Sequence, residues 1–385
     1  MFRSRRVTRA PLAIALVLLG ASCASTEAPE EGLPTRAAAS CPPEKPLCYS
    51  VYLPVAMRNA SPATARFEPP DGQTYYGMGQ TLDRYADETK PAVDAVGVHP
   101  VLVSGYGGCT VASFNWLVQE LSAIDALEGR SHVPVWGIGC DLAQLLSGAL
   151  DAELQNLGRA LRAHGRPVFV RPFYEIMPPG GYGQIIRDYC AAQVPRCDAP
   201  QTARALYRRL FEQVQLGAMG SASQRIPNVV RVWHAWAQAN PGAYDAYYPG
   251  DDVVDWIGGS IFDNPNSGPG SMSAFPTLTA FARAHKRPVI IPEASPVWPN
   301  AGAGACDGPY GTLDPNIVPN FFDPYFALIR REGIKAFVYI SADWRPTQWC
   351  RDLGWPDARL EQSAAAVARF RREVSNTSVY VTWPY

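Results

Sequence analysis

The chain is poor in the residues that most often advertise chemistry. Its five histidines are not clustered, and none of its nine cysteines forms a Cys-x-x-Cys pair, so no metal site is expected. Asp251-Asp252 and Asp263-Asn264 offer loop oxygens, but their spacing matches no calcium loop. Gly-x-Ser-x-Gly, His-Glu-x-x-His and a phosphate-binding loop are all absent, which weakens esterase, metalloprotease and nucleotidase readings and leaves no cofactor implied. Charge is scarce and balanced, with 34 basic against 35 acidic residues, so neither nucleic acid nor another polyanion is an expected partner.

The ends of the chain carry a different message. Residues 1–23 read as an export signal: Arg3, Arg5, Arg6 and Arg9 precede an apolar run over 11–20 that is too short to span a membrane. Leu19-Gly20-Ala21-Ser22-Cys23 resembles a bacterial lipobox, with its large aliphatic residue one place further from the cysteine than usual. Lipidation of Cys23 is the expectation, and it would be the only membrane contact. Setting Cys23 aside leaves eight of the nine cysteines, an even set suited to an oxidising compartment. A secreted or cell-envelope location follows. Residues 24–65 are rich in Pro, Ala, Ser and Glu and read as a linker. The remainder, 66–385, is long enough for one large core and is expected to be a single, monomeric domain.

Within that domain, short apolar runs alternate with helical patterns. The strands are predicted at 74–80, 100–105, 132–137, 166–171, 228–234, 253–260, 287–292 and 334–341, each rich in β-branched or aromatic residues and bounded by Gly or Pro. Helical stretches fall at 113–128, 142–164, 201–219, 273–285, 319–332 and 357–374. Eight such units predict an α/β fold of the (β/α)8 TIM-barrel kind. An open doubly wound sheet is the runner-up. It would favour a glycine-rich phosphate turn after the first strand, and Gly77-Met78-Gly79-Gln80 lacks the third glycine.

Two glutamates stand where such a barrel does chemistry. Glu175 follows the fourth strand in Arg171-Pro172-Phe173-Tyr174-Glu175, and Glu293 follows the seventh in Pro288-Val289-Ile290-Ile291-Pro292-Glu293. Active sites of these barrels lie at the carboxyl ends of the strands. Two carboxylates facing each other there are what glycoside hydrolysis needs, one as general acid and one as nucleophile or base. The 10 Trp and 18 Tyr supply flat faces on which sugar rings stack, although core packing accounts for most of them.

These segments, with Tyr248-Pro249-Gly250-Asp251-Asp252-Val253-Val254-Asp255-Trp256-Ile257-Gly258, resemble glycoside hydrolase family 26, whose members include β-mannanases and xylanases. The resemblance runs from about Tyr75 to Trp344. It implies Glu175 as acid/base, Glu293 as nucleophile, and Trp344 as the aromatic floor beneath the sugar being cleaved. It also implies an endo-acting, retaining enzyme on a β-linked polysaccharide or oligosaccharide, mannan-like in the first instance. The sequence departs from the family at Tyr174, where His precedes the acid/base, at Met177-Pro178 in place of Asn-Gly, and at Phe262 in place of a Tyr that bonds the nucleophile. A barrel that binds carbohydrate without turnover is therefore the competing expectation.

Other side chains fall around the same strand ends. His234 and Trp236 end strand five, Tyr182 lies in the loop after Glu175, and Trp298 follows the nucleophile strand; each is a candidate for sugar contact. Arg171 is expected to order Glu175 or to hold Asp255. His99, His132, His164 and His285 precede strands and read as structural. Cysteines in neighbouring connections predict the disulfides Cys41–Cys48, Cys109–Cys140, Cys190–Cys197 and Cys306–Cys350.

Overall fold

A computed structural model describes residues 65–263, 270–297, 317–353, 355 and 357–381. Strands β1 (Thr74–Met78), β2 (Leu102–Gly108), β3 (Val133–Gly139), β4 (Val168–Pro172) and β5 (Val229–Ala235) pair in sequence order, all parallel. The sixth stave is broken at Ser260 into β6 (Trp256–Gly259) and β7 (Ile261–Asp263), both of which pair with β8 (Val289–Pro296). β9 (Ala336–Tyr339) pairs with β8 on one side and β1 on the other. The eight-stave barrel is thereby closed. A short β10 (Tyr380–Val381) adds to the start of β1.

Alternation along each strand sorts the interior into layers. Leu102, Val133, Val135, Phe169, Val230, Val232, Trp256, Ile290 and Val338 fill the lower barrel with apolar side chains. Phe169 meets Trp256 edge-on at 5.2 Å, and the Trp256 indole donates to the Arg66 carbonyl at 2.9 Å, so the chain entering the domain covers that end. One step up the same strands, the inward positions turn polar: Ser104 on β2, Arg171 on β4 and His234 on β5 are all buried. Gly137 on β3 makes room for them, because a Cβ there would lie 2.9 Å from the Tyr106 ring and 3.2 Å from the Arg171 guanidinium.

The helical layer closes on the outer strand faces. The helix Asp151–His164 buries Leu154, Leu157 and Leu161 and packs on Ala199–Met219. Its Gly158 and the Gly217 of the other helix allow backbone contact, since a Cβ at Gly158 would meet the Val214 carbonyl at 1.9 Å. Both helices end on a left-handed glycine, Gly165 and Gly220. Among the described residues no helix is long and apolar enough to cross a membrane.

Two predicted disulfides fall within the described residues and are formed, Cys109–Cys140 between the ends of β2 and β3 and Cys190–Cys197 after β4. Cys350 is itself disulfide-bonded; its predicted partner Cys306, with Cys23, Cys41, Cys48 and Trp298, lies outside the described residues.

Candidate active site

The backbone delivers the two glutamates by different devices. After β4 the chain makes a sharp turn in which Phe173 and Glu175 take φ of 52° and 54°, a left-handed conformation that costs a non-glycine residue about 1–3 kcal/mol. The turn is fastened on three sides: Phe173 N donates to Ile138 O at 2.8 Å, Ile176 N to His234 O at 3.0 Å, and Gly183 N to Glu175 O at 2.9 Å. Gly180 lets the following loop fold back, because a Cβ there would lie 2.7 Å from both the Glu175 Cβ and the Trp236 ring. The Gly181 amide, first in the helix Gly181–Ala192, then donates to Glu175 Oε2 at 3.0 Å.

Glu293 lies inside β8 rather than beyond it, correcting the predicted strand end at 292. Between the pairs Ile291↔Phe337 and Ala294↔Tyr339, β8 spends one residue more than β9. This is a β-bulge, which re-aims the side chains that follow it. Ile290 and Pro292 both face the interior position at Gly258, so regular alternation would turn Glu293 outward. The bulge returns its carboxylate to the barrel mouth, where it forms an ion pair with fully buried Arg171.

Arg171 thus bonds directly to Glu293 rather than to Glu175 or Asp255. Asp255 is held instead by Arg231 at 3.0 Å and Arg225 at 2.8 Å; burial pushes its carboxyl up, but those guanidiniums outweigh burial and hold it below the usual range. Arg171 also reaches His234 Nδ1 at 3.2 Å and Ser104 Oγ at 3.3 Å. A guanidinium only donates, so Nδ1 accepts and Nε2 carries the proton. Nε2 then donates to Ser260 Oγ at 2.9 Å. Burial and the nearby Arg171 depress the His234 pKa well below its ordinary value, so the ring stays neutral. The Ser260 hydroxyl in turn stands beside Glu175 and favours its ionised form. One chain of hydrogen bonds thus runs from Glu293 through Arg171 and His234 to Ser260, beside Glu175.

Burial decides the protonation of Glu175. Desolvation, followed by the charge of Glu293, pushes its carboxyl up to about 7, against Ser260, Gly181 and Arg171, which pull it down. A carboxylic acid poised near neutrality is suited to give a proton and take it back.

The aromatic candidates divide into two groups. Tyr182 packs edge-on to Tyr174 at 5.2 Å and to Phe173 at 5.5 Å, and Trp236 lies against Gly180, so both flank the Glu175 turn. Trp344 is buried beside Ile340, Ala342 and Ala358 and meets Trp355 edge-on at 5.0 Å, and Phe262 packs on Trp355 at 4.9 Å. Its loop is framed by two Asp-x-Arg turns, in which Arg345 bonds Asp343 at 2.7 Å and Arg359 contacts Asp357 at 2.5 Å. Three participants escaped the sequence reading, Ser260, Tyr106 and Ser104. The alternation Leu102, Ser104, Tyr106 carried the signal for the second, but the predicted strand stopped at 105.

The remaining histidines are paired or packed away from these groups. His99 meets Glu128 at 2.7 Å, His132 meets Asp125 at 2.9 Å and His285 meets Asp251 at 3.0 Å. Burial lowers His164 to about 4, where it packs edge-on against Phe114. Among the described residues no group of three or more His, Cys, Asp or Glu side chains is gathered to hold a metal ion.

No family model matches the chain. In sequence it is similar to a beta-1,3-xylanase from a Vibrio species, 26% identical over 322 residues, and to one from an Alcaligenes species, 25% identical over 322 residues. These alignments take in 76% of this chain, which spans only 62% and 61% of those proteins' own lengths. In structure it is similar to a family 26 beta-mannanase from Bacteroides ovatus, with a TM-score of 0.52 at 12% identity over 81% of this chain and 91% of that one. A modular endo-beta-1,4-mannanase from Cellulomonas fimi gives a TM-score of 0.52 at 14% identity over 81% and 72% of the two chains. The likeness to these structures is one of fold, the (β/α)8 barrel.

Proposed function

We propose that this chain, a distant relative of the family 26 glycoside hydrolases, is a retaining glycosidase that cleaves a β-linked polysaccharide. The observation that carries the reading is the unlike treatment of two neighbouring carboxyls. Burial holds Glu175 near neutrality, while Glu293 is locked in an ion pair with Arg171. Environments that separate two carboxyls in this way assign the acid and the nucleophile.

In the first step Glu175 gives its proton to the glycosidic oxygen as that bond breaks, and a Glu293 oxygen bonds to the anomeric carbon. In the second, Glu175 takes a proton from water, whose oxygen displaces Glu293 and restores the original anomeric configuration. Arg171 orients Glu293 throughout, and the neutral His234–Ser260 pair keeps the Glu175 carboxyl in register. Sugar contacts are assigned to Tyr182, Trp236, Trp298 and Trp344, with the substrate entering as polymer and cut internally.

The sequence relatives favour a β-1,3-linked xylan over the mannan that the family resemblance alone suggested. Assay of β-1,3-xylan, β-1,4-mannan and mixed-linkage glucan for new reducing ends, with proton NMR of the first product anomer, tests both points. Release of the retained anomer by wild type, and none by Glu293→Gln, is the expected result. Saturable binding without cleavage in both proteins would replace this reading with a carbohydrate-binding barrel. We further propose export and lipid attachment at Cys23; detergent partitioning of wild type against Cys23→Ser in a bacterial host tests that attachment.

A further inference from the structure

We propose that Tyr106 on β2 is a positioning residue for Glu293, clamping the carboxylate together with Arg171 from the side of the barrel opposite the sixth stave. Its ring lies under the Arg171 guanidinium, with the central carbon 4.7 Å from the ring centroid, a separation at which a cation is attracted to an aromatic face. Tyr174 supports the same guanidinium at 5.6 Å and meets Tyr106 edge-on at 5.3 Å. Arg171 is thus packed against two adjoining aromatic rings while it grips Glu293. Beyond burial, Glu293 and Arg171 are also the charges that act on the Tyr106 hydroxyl, the first holding the phenol proton on and the second easing it off.

The room for this arrangement is built into the next strand. Only a glycine at 137 leaves space for the Tyr106 ring and the guanidinium together. The disulfide Cys109–Cys140 fastens the ends of the same two strands just beyond. Burial, and then the charge of Glu293, hold the phenol proton well beyond neutral pH, so the hydroxyl stays available to donate. A phenol that donates to a carboxylate fixes which lone pair faces the sugar. Phe262, with no hydroxyl, packs on Trp355 instead, and β2 thereby supplies a donor that the sixth stave does not.

The proposal rests on the glycosidase reading, and its test separates the two. Tyr106→Phe keeps the ring over Arg171 and removes only the hydroxyl. Loss of a hydrogen bond to a charged group predicts a fall in kcat of between about tenfold and a hundredfold. KM and the thermal midpoint should stay near wild type, and the acid limb of kcat/KM should move to higher pH. Wild-type kcat and an unmoved acid limb would overturn the assignment. A second readout needs no turnover: in protein labelled at tyrosine Cζ, the carbon resonance missing from Tyr106→Phe should move in Glu293→Gln. If that resonance does not move, the phenol does not serve Glu293. If wild type cleaves no polysaccharide, the glycosidase reading fails and the resonance alone decides the contact.

Discussion

At the scale of single residues, the site is a contest between burial and a few donors. Glu175 shows the outcome most directly, because burial and Glu293 raise its carboxyl from 4.5 to about 7. Activity should therefore fall as pH rises through about 7, since the acid required in the first step is then lost; a kcat/KM profile checks this. The same group sets a stability slope. The folded chain holds this proton more tightly than the unfolded one, so the contribution is full below 4.5 and is lost as pH climbs through about 7. By linkage that loss is up to about 3 kcal/mol. Glu175→Gln should accordingly raise the thermal midpoint relative to wild type at pH 8 and leave it nearly unchanged at pH 4.5. Arg171 is the opposite case. Arg171→Met strands a buried carboxylate, at a cost of about 3–5 kcal/mol, and denaturant unfolding at pH 7 should read that loss. Because Arg171 also reaches His234, paired substitutions of His234 and Glu293 should cost less activity than the sum of the singles.

At the scale of elements, the strands were legible where alternation is regular and illegible where it breaks. The Val-Phe-Val run of β4 and the Val-Val-Arg-Val-Trp-His run of β5 announce buried staves, and with them the placing of Arg171 and His234. The apolar pattern predicts one sixth strand over 253–260, but the stave starts at Trp256 and is interrupted at Ser260. Pro292 inside a stave paired on both sides is the one mark of the bulge in residue type, and the direction it gives Glu293 arises from register against a neighbouring strand. This is why the sequence names both Glu293 and Arg171 but not their pairing: the carboxylate is a residue, but its direction is a property of the β8–β9 pair. Shifting the carboxylate by one place, Glu293→Ala with Ala294→Glu, should restore no hydrolysis even with excess enzyme. The turn after β4 gives a second test. Gly180→Ala places a methyl 2.7 Å from the Glu175 Cβ and the Trp236 ring, and overpacking of this kind costs about 1–3 kcal/mol. A lowered thermal midpoint with a larger proportional loss of kcat is expected.

At the scale of the whole molecule, the barrel divides labour between its apolar lower layers and a polar layer at the mouth, with disulfides near the second. Cys109–Cys140 closes 31 residues and Cys190–Cys197 closes 7. Loop-closure entropy predicts about 3–4 kcal/mol for the first and about 2 for the second. Cys109→Ser with Cys140→Ser should therefore lower the denaturant midpoint more than the matching pair at 190 and 197. The polar layer draws on β2, β4, β5, the end of β6 and β8, which are far apart in sequence. Arg171 on β4 and Glu293 on β8 stand across the ring from each other, so that pair forms only once the first stave, β1, has found the last, β9. That pairing, which sets Tyr75 beside Ala336, joins strands distant in sequence, the kind of contact that forms slowly. On refolding from denaturant, helical signal should return first and hydrolysis last. The lag between them times the closing of the ring.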